Sequence, residues 1–293
     1  MRLATAEAHV LSTTALERRP LAPLPVARPN RLPAPLPHPI EALRAVADRV
    51  DRDVSVHPLA GVRAWLDGEA PRDGIEFRAA ELAAGERVEE LMGTAAALWG
   101  GSAHANAALA WKTYCYWTLA PVVLGYVAAR RVPVMDASNA VFRVAEDAPM
   151  FSVRQLRPRF LVLPHDPSAA HPEAEVVANE AVLLDRLRAS VFEDHLGPVL
   201  DAFLARARVG RRTLMGSVAS GIAYAVASIA QVVPDPDDVL AKTLLETLDV
   251  ADLVDISTDE VGRLVYQRRT CCLALTIDGN RTCSTCCVRQ ERP

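Results

Sequence analysis

The sequence predicts an α+β fold dominated by helices, with a small central sheet and a cysteine-rich tail packed on the helical body. Apolar residues recur with helical periodicity over most of residues 40–250. Short alternating or continuous apolar runs, typical of strands, fall mainly within residues 140–163. Five of the six cysteines lie within residues 271–287, and this crowding indicates a local metal or cluster site rather than a disulfide framework.

Length, composition and charge limit the class of protein. The 293 residues, 51% of them hydrophobic, are enough for one large domain or two modest ones. A net charge of −4, from 32 basic and 36 acidic side chains, gives no global basic footprint. We therefore expect no nucleic-acid partner. Clustered free cysteines and the lack of an evident signal peptide in residues 1–20 predict a reducing, cytoplasmic location.

The chain divides into three predicted segments. Residues 1–39 form a Pro-rich extended N-terminal segment, since residues 20–39 contain eight prolines, which lack a backbone donor and fix φ. Residues 40–260 form a mainly helical domain, and residues 261–293 form the C-terminal cysteine motif.

Several helices are predicted before the strand region. Pro121 is expected to open a helix of its own, because proline suits the first helical turn. The predicted helices are 40–50, 79–99 with a break near Gly85, 102–118 and 122–131, and residues 75–78 are predicted to be weakly extended.

The second half combines short strands with further helices. Predicted strands are 140–144, 150–153 and 159–163, followed by a loop at 164–173. Predicted helices are 175–188, 191–208, 213–232 and 237–248, and residues 254–265 are expected to connect them to the tail. The uncharged stretch 213–233 is long enough to span a membrane, but it is rich in Gly, Ala and Ser. We expect a buried helix there and no integral membrane span.

The tail has a defined cysteine spacing. Cys271 and Cys272 are adjacent, ten residues follow, and Cys283 and Cys286 form a C-x-x-C turn. A loop turning at residues 278–280 would return the first pair to the second. Soft thiolates select iron–sulfur clusters, zinc or copper(I). Zinc ribbons normally use two C-x-x-C knuckles, so the adjacent pair fits zinc poorly, but spacing alone leaves zinc and a cluster both open.

The string RRTCCLALTIDGNRTCSTC (268–286) resembles the C-terminal signature of the FhuF-like ferric siderophore reductases. Weaker similarity extends upstream, to ALWGGSAHANAALAWKTYCYWTLAPVVLGYVAARRVPV (97–134) and GRRTLMGSVASGIAYAV (210–226). The resemblance implies a 2Fe–2S cluster held by Cys271, Cys272, Cys283 and Cys286. It also implies that residues 40–260 form a siderophore-reductase-like domain.

The resemblance implies an oxidoreductase that reduces a ferric siderophore, of hydroxamate type, by one electron and releases Fe(II). Its partners would be the siderophore and an electron donor such as ferredoxin or a flavin reductase. Two alternatives stay open: an iron–sulfur electron-transfer component of another, biosynthetic redox system, and a siderophore-binding or structural module with a zinc-binding tail.

Three further features concern the site. Cys287 departs from the family pattern and is an alternative fourth ligand to Cys286. Cys115 lies on an apolar helix and is expected to be core packing. The polar and aromatic side chains of that region could form a cleft for a bulky chelate, but their helical spacing favours the core; they are Trp99, Trp111, Lys112, Tyr114 and Trp117.

Overall fold

The computed structural model describes residues 36–53, 59–67, 73–146, 149–230, 232, 238–277, 279 and 283–288. Apart from residues 36–39, the predicted Pro-rich segment lies outside this range. So do most of the predicted turn at 278–280 and two arginines of the tail, Arg281 and Arg289.

Helices make up most of the described chain. They are α1 (Glu41–Asp53), α2 (Ala60–Leu66), α3 (Ala79–Ala83), α4 (Val88–Trp99), α5 (Ala103–Ala129), α6 (Glu180–Arg188), α7 (Gly197–Arg206), α8 (Arg211–Ala230) and α9 (Asp238–Thr247). A π-helix, Ala189–Leu196, joins α6 to α7, and short 3₁₀ turns occur at Ala251–Leu253 and Ala274–Thr276.

In the part of the chain that the structure describes, the strands are short and form three small sheets. They are β1 (Ile75–Arg78), β2 (Val132–Pro133), β3 (Ala140–Val144), β4 (Phe151–Gln155), β5 (Phe160–Val162), β6 (Ala174–Val176), β7 (Val254–Thr258) and β8 (Leu264–Arg268). The sheet orders are β1-β3-β4, β2-β5-β6 and the hairpin β7-β8. β5 and β6 are parallel, and the other pairs are antiparallel. The predicted helix-dominated α+β class is confirmed, with three small sheets in place of one central sheet.

The packed pair α5 and α8 forms the centre of the core. Trp111 and Tyr114 of α5 are fully buried, and the Trp111 indole N–H donates to the carbonyl oxygen of Leu214 at 2.8 Å. Gly221 of α8 faces α5 with room for a methyl group, since a Cβ there would lie at ordinary contact distances, 3.5 Å from Leu119 Cδ1 and 3.6 Å from Tyr116 Cα. These contacts bind two long apolar helices into one core.

Helix α5 corrects the expectation that Pro121 opens a new helix. The helix runs unbroken from Ala103 to Ala129 with Pro121 inside it. Ser102 caps its start by accepting a hydrogen bond from the Ala105 N–H at 3.3 Å. Pro121 and its neighbours are buried, so tertiary packing offsets the backbone hydrogen bond that proline cannot make.

Three other boundaries differ from those predicted. The stretch 175–188 contains the end of β6 before α6, because Asn179 accepts from the Val182 N–H at 3.0 Å and starts the helix there. The helix predicted at 191–208 divides into the π-helix and α7. The connector predicted at 254–265 instead contributes to the β7-β8 hairpin, whose register pairs Val254 with Arg268.

Helix α8 is long and apolar enough to cross a membrane by length and composition, with a mean hydropathy of 1.5 in its most apolar window. In the structure 72% of that window is buried. It packs against α5, α9 and the β7-β8 hairpin. The prediction of a buried helix agrees with this packing.

Candidate metal centre and the pocket beside it

The β7-β8 hairpin carries the cysteine tail to α8. The Arg269 N–H donates to the Leu253 carbonyl at 3.0 Å, which extends the hairpin toward Cys271. Thr270 then lies directly against Gly216 of α8: a Cβ at position 216 would be 1.7 Å from Thr270 Oγ1. Only glycine permits this approach, so α8 determines where the first cysteine pair begins.

The second cysteine pair is fixed to the same strand. The Arg268 N–H donates to the Thr285 carbonyl at 3.1 Å, and the Gln267 side-chain amide donates to the Cys286 carbonyl. The Cys286 N–H donates to the Cys283 carbonyl at 3.0 Å, which closes the C-x-x-C turn. Both halves of the motif therefore meet at the end of β8.

Three of the tail cysteines interact with one another: Cys271, Cys286 and Cys287. Cys287 shares a hydrogen bond with Cys271, and the charge of Cys286 also acts on it. The Leu273 N–H donates to the Cys271 sulfur at 3.3 Å. Cys272 is buried and Cys283 is exposed. Within the part of the chain that the structure describes, no three His, Cys, Asp or Glu side chains form a group that could hold a metal ion.

Two cysteines have shifted acidities. Burial raises the pKa of Cys283, but hydrogen bonds from Thr285 and the charges of Lys112 and Arg268 outweigh it, so that this pKa lies below its usual value. Burial raises the pKa of Cys287, and the neighbouring thiols raise it further. The field at the turn thus favours a thiolate at Cys283 more than at Cys287.

Arg268 is the unusual charged residue of the site. The residue is 3% exposed, and none of its three guanidinium nitrogens has a hydrogen-bond partner among the residues that the structure describes. Its positive charge opposes the burial that raises the pKa of Cys115 and Cys287, and it contributes to the lowered pKa of Cys283. Burying a cation without a partner costs free energy of folding. An anionic group bound beside Arg268 would offset that cost.

The next arginine has the opposite environment. Successive strand residues point to opposite faces, and Arg269 is exposed, with its Nε donating to Asp255 Oδ2 at 3.1 Å. The predicted arginine lead-in therefore contains one buried, unpaired cation and one surface ion pair.

The donor chemistry fits a thiolate-ligated iron–sulfur cluster. The two chain segments that carry the tail cysteines meet at the end of β8, and a buried guanidinium beside them matches the net negative charge of such a group. Cys271, Cys272, Cys283 and Cys286 are the residues that would hold it. Cys115 is fully buried on α5, as expected for core packing.

A pocket of about 670 Å³ adjoins the C-x-x-C turn. Its wall includes Cys283, Ser284, Thr285 and Arg268, with side chains from three packed elements. Those are Lys112, Tyr116 and Trp117 of α5, Ser217, Ser220 and Tyr224 of α8, and Leu264 and Tyr266 of β8. The hairpin thus closes one side of a cleft between the two central helices.

The aromatic residues named from the sequence separate into two groups. Trp111 and Tyr114 are core, and Trp99 stacks on Phe151 with ring centroids 6.2 Å apart. Lys112 and Trp117 instead line the pocket. The expectation of core packing is correct for the first group. Trp117 packs partly against the core as well as lining the pocket, and only for Lys112 is the expectation wrong.

Sequence reasoning missed Leu264 and Tyr266. Together with Arg268 they alternate along β8, and all three line the pocket. This period of two is a strand signal. It was present in the sequence within a segment interpreted as a connector.

The protein is therefore a helical α+β protein with a candidate metal centre. Its core is built on two long apolar helices, and its cysteine-rich tail follows a β-hairpin. Residues 111–254 match the model of the family described as ferric iron reductase FhuF-like transporter. The match confirms the FhuF-like resemblance and, since it ends before the cysteines, is independent of them. A search of curated proteins finds no relative that matches the chain.

Proposed function

We propose that this protein is a cytoplasmic ferric siderophore reductase that uses a 2Fe–2S cluster on Cys271, Cys272, Cys283 and Cys286. The observation that carries the proposal is the buried guanidinium of Arg268 beside the C-x-x-C turn, which has no hydrogen-bond partner in the described part of the chain. The FhuF-like match adds support, since the family name describes ferric iron reduction. The substrate class implied by the resemblance is a ferric hydroxamate.

A 2Fe–2S cluster, when bound, supplies single electrons. Iron(III) in the chelate that gains one electron becomes iron(II), which binds hard oxygen donors more weakly, so iron is released. An external donor, such as ferredoxin or a flavin reductase, must then restore the electron.

The protein's own residues create the conditions for this chemistry. Arg268 places positive charge beside the sulfurs and thus favours the more negative, reduced state. Hydrogen bonds from Leu273 to Cys271 and between Thr285 and Cys283 act in the same direction. The hairpin and α8 exclude water from one side of the site, which strengthens these interactions.

The test is stopped-flow mixing of the reduced, full-length protein with a ferric trihydroxamate. We expect the absorption of the oxidised cluster to return as Fe(II) appears, one equivalent for each electron. The matched control is the gallium(III) complex of the same ligand, which accepts no electron and should leave the spectrum unchanged.

Other outcomes separate the alternatives. A reduced cluster that ignores ferric chelates but reoxidises with a partner protein would indicate an electron-transfer component. Purified protein containing zinc and no iron would overturn the cluster and both redox functions together.

A further inference from the structure

The pocket beside Cys283 has the dimensions of a ligand site. Its volume of about 670 Å³ falls within the range of about 300–1,000 Å³ typical of small-molecule pockets. It lies between α5, α8, β8 and the turn at residues 283–285. A molecule bound there would contact the residues around the proposed cluster directly.

The organic surface of the pocket comes from aromatic side chains on different elements. Tyr116 lies 5.2 Å from Tyr224 and 4.9 Å from Trp117 between ring centroids. Tyr224 is 40% exposed even though it lies on an otherwise buried part of α8. Aromatic walls of this kind supply a large contact area to a bulky organic ligand.

The charged residues lining the pocket have one sign. They are Lys112 and Arg268, and no aspartate or glutamate occurs among the described lining residues. Arg268 acts on the sulfurs of Cys283 and Cys287. Lys112 also acts on Cys283, but unlike Arg268 it is only half-buried, on α5, so that it can meet a ligand in the cleft.

We propose that this pocket binds the ferric chelate as a neutral or anionic complex, with Lys112 meeting its iron-bound oxygens. This assignment rests on the proposed function. It adds where the substrate binds and what net charge it carries. Because Cys283 lines the same pocket, chelated iron held there lies beside the electron source. A chelate of net positive charge would meet Lys112 with like charge and bind more weakly.

The location is tested with a redox-inert ligand, since binding then needs no electron transfer. The gallium(III) complex of a neutral trihydroxamate is titrated calorimetrically into the full-length, cluster-containing protein. Ala227→Trp fills this pocket from α8 and should raise the Kd at least about tenfold. Ala96→Trp fills a second pocket of about 490 Å³ near α4 and should change the Kd less than about twofold.

A second variant guards against misfolding. If Ala227→Trp lowers the melting temperature sharply, Tyr224→Ala replaces it, because that side chain is partly exposed and its loss leaves the helix intact. Its Kd should rise about threefold to tenfold. Equal effects of the two tryptophan variants, or a greater effect of Ala96→Trp, would overturn the location.

The charge class is tested with Lys112→Met, which keeps the aliphatic stem. Its affinity for an anionic gallium(III) tris-catecholate should fall about tenfold, while its affinity for the neutral trihydroxamate should change less than about threefold. With the unmodified protein, a trihydroxamate bearing an added ammonium should bind more weakly than the neutral one. Tightest binding of the cationic complex would overturn the charge class.

These results are distinguishable from a failure of the proposed function. In one outcome, the gallium complex binds, Ala227→Trp abolishes this binding, and the protein does not reduce the ferric chelate. That outcome would support the pocket as the binding site and disprove the reductase function. In the opposite outcome, Ala227→Trp changes neither the rate of ferric reduction nor the affinity for the gallium complex. That outcome would support the reductase function and disprove the pocket as the binding site. No gallium binding to the unmodified protein at millimolar ligand would also disprove it.

Discussion

Thr270 lies very close to Gly216. A Cβ built at position 216 would be 1.7 Å from the hydroxyl oxygen of Thr270 and 2.7 Å from the Cβ of Thr270. This contact joins the residue before Cys271 to the middle of α8. Thr270 Oγ1 is buried and has no hydrogen-bond partner within the described ranges of the chain. The approach is therefore steric, and the absence of a side chain at position 216 decides where the tail starts.

We expect Gly216→Ala to displace the tail and reduce iron and acid-labile sulfide in the purified protein. Helix propensity favours alanine by about 1 kcal/mol, so a loss of iron would come from the clash and not from a weaker helix. Iron and sulfide analysis, with melting temperature, measures both effects.

Gly221→Ala is the matched control on the same helix. A Cβ there would meet Leu119 Cδ1 at 3.5 Å, an ordinary contact distance. Iron content should stay near that of the unmodified protein. Equal iron in the two variants would contradict the role assigned to Gly216.

The two adjacent arginines should respond differently to substitution. Arg268→Met removes a buried positive charge next to the sulfurs and should lower the cluster's reduction potential by on the order of 50 mV, about tenfold in a one-electron equilibrium. The same change should stabilise the protein without iron, because the unpaired charge is gone. Spectroelectrochemistry measures the change in reduction potential, and denaturant unfolding measures the change in the stability of the iron-free protein.

Arg269→Gln is the control for that experiment. Arg269 is exposed and paired with Asp255, so screening by water limits its influence on both quantities. Its potential should remain close to that of the unmodified protein. A larger shift with Arg269→Gln than with Arg268→Met would contradict the assignment.

The fourth cluster ligand is decided by separate serine variants of Cys286 and Cys287. We expect Cys286→Ser to lose the 2Fe–2S absorption and Cys287→Ser to keep it, since burial, and after it the neighbouring thiols, raise the pKa of Cys287 and disfavour its thiolate. Visible absorption with iron quantification is the measurement. Cluster loss confined to the Cys287→Ser protein would reverse the assignment.

The helical body was predictable because amphipathic periodicity is a local property of the sequence. The breaks near Gly85 and before Ala103, and the strands β3 and β4, occur where turn residues and alternation indicate them. The continuity of α5 through Pro121 was not predictable, because burial on all sides holds that helix and burial is a tertiary property.

The meeting of the two halves of the cysteine motif was predictable, but its surroundings were not. Cysteine spacing predicts thiols that share a site, whereas the burial of Arg268 depends on which face of β8 meets α8. The aromatic pocket combines residues from α5, α8 and β8. Such a combination follows from packing between elements far apart in sequence, which local patterns do not encode.

His195, within the π-helix, gives a pH dependence away from the cysteines. Its Nδ1–H donates to the Met135 carbonyl at 2.5 Å, because a carbonyl can only accept, and its Nε2 accepts from the Tyr114 hydroxyl at 2.5 Å. The neutral ring is thus satisfied on both nitrogens. Burial lowers the pKa of His195 to about 4.

Because this pKa is below the unfolded value of about 6.5, the unfolded chain binds the extra proton first as pH falls. The contribution of His195 is therefore fully present above pH 6.5 and is lost progressively between about pH 6.5 and pH 4, by about 3 kcal/mol in total. Denaturant unfolding at several pH values measures this slope. His195→Gln, which has no titrating ring, should be less stable at neutral pH and should show a flatter pH dependence across that window. An equal slope in the two proteins would assign the acid sensitivity to other groups.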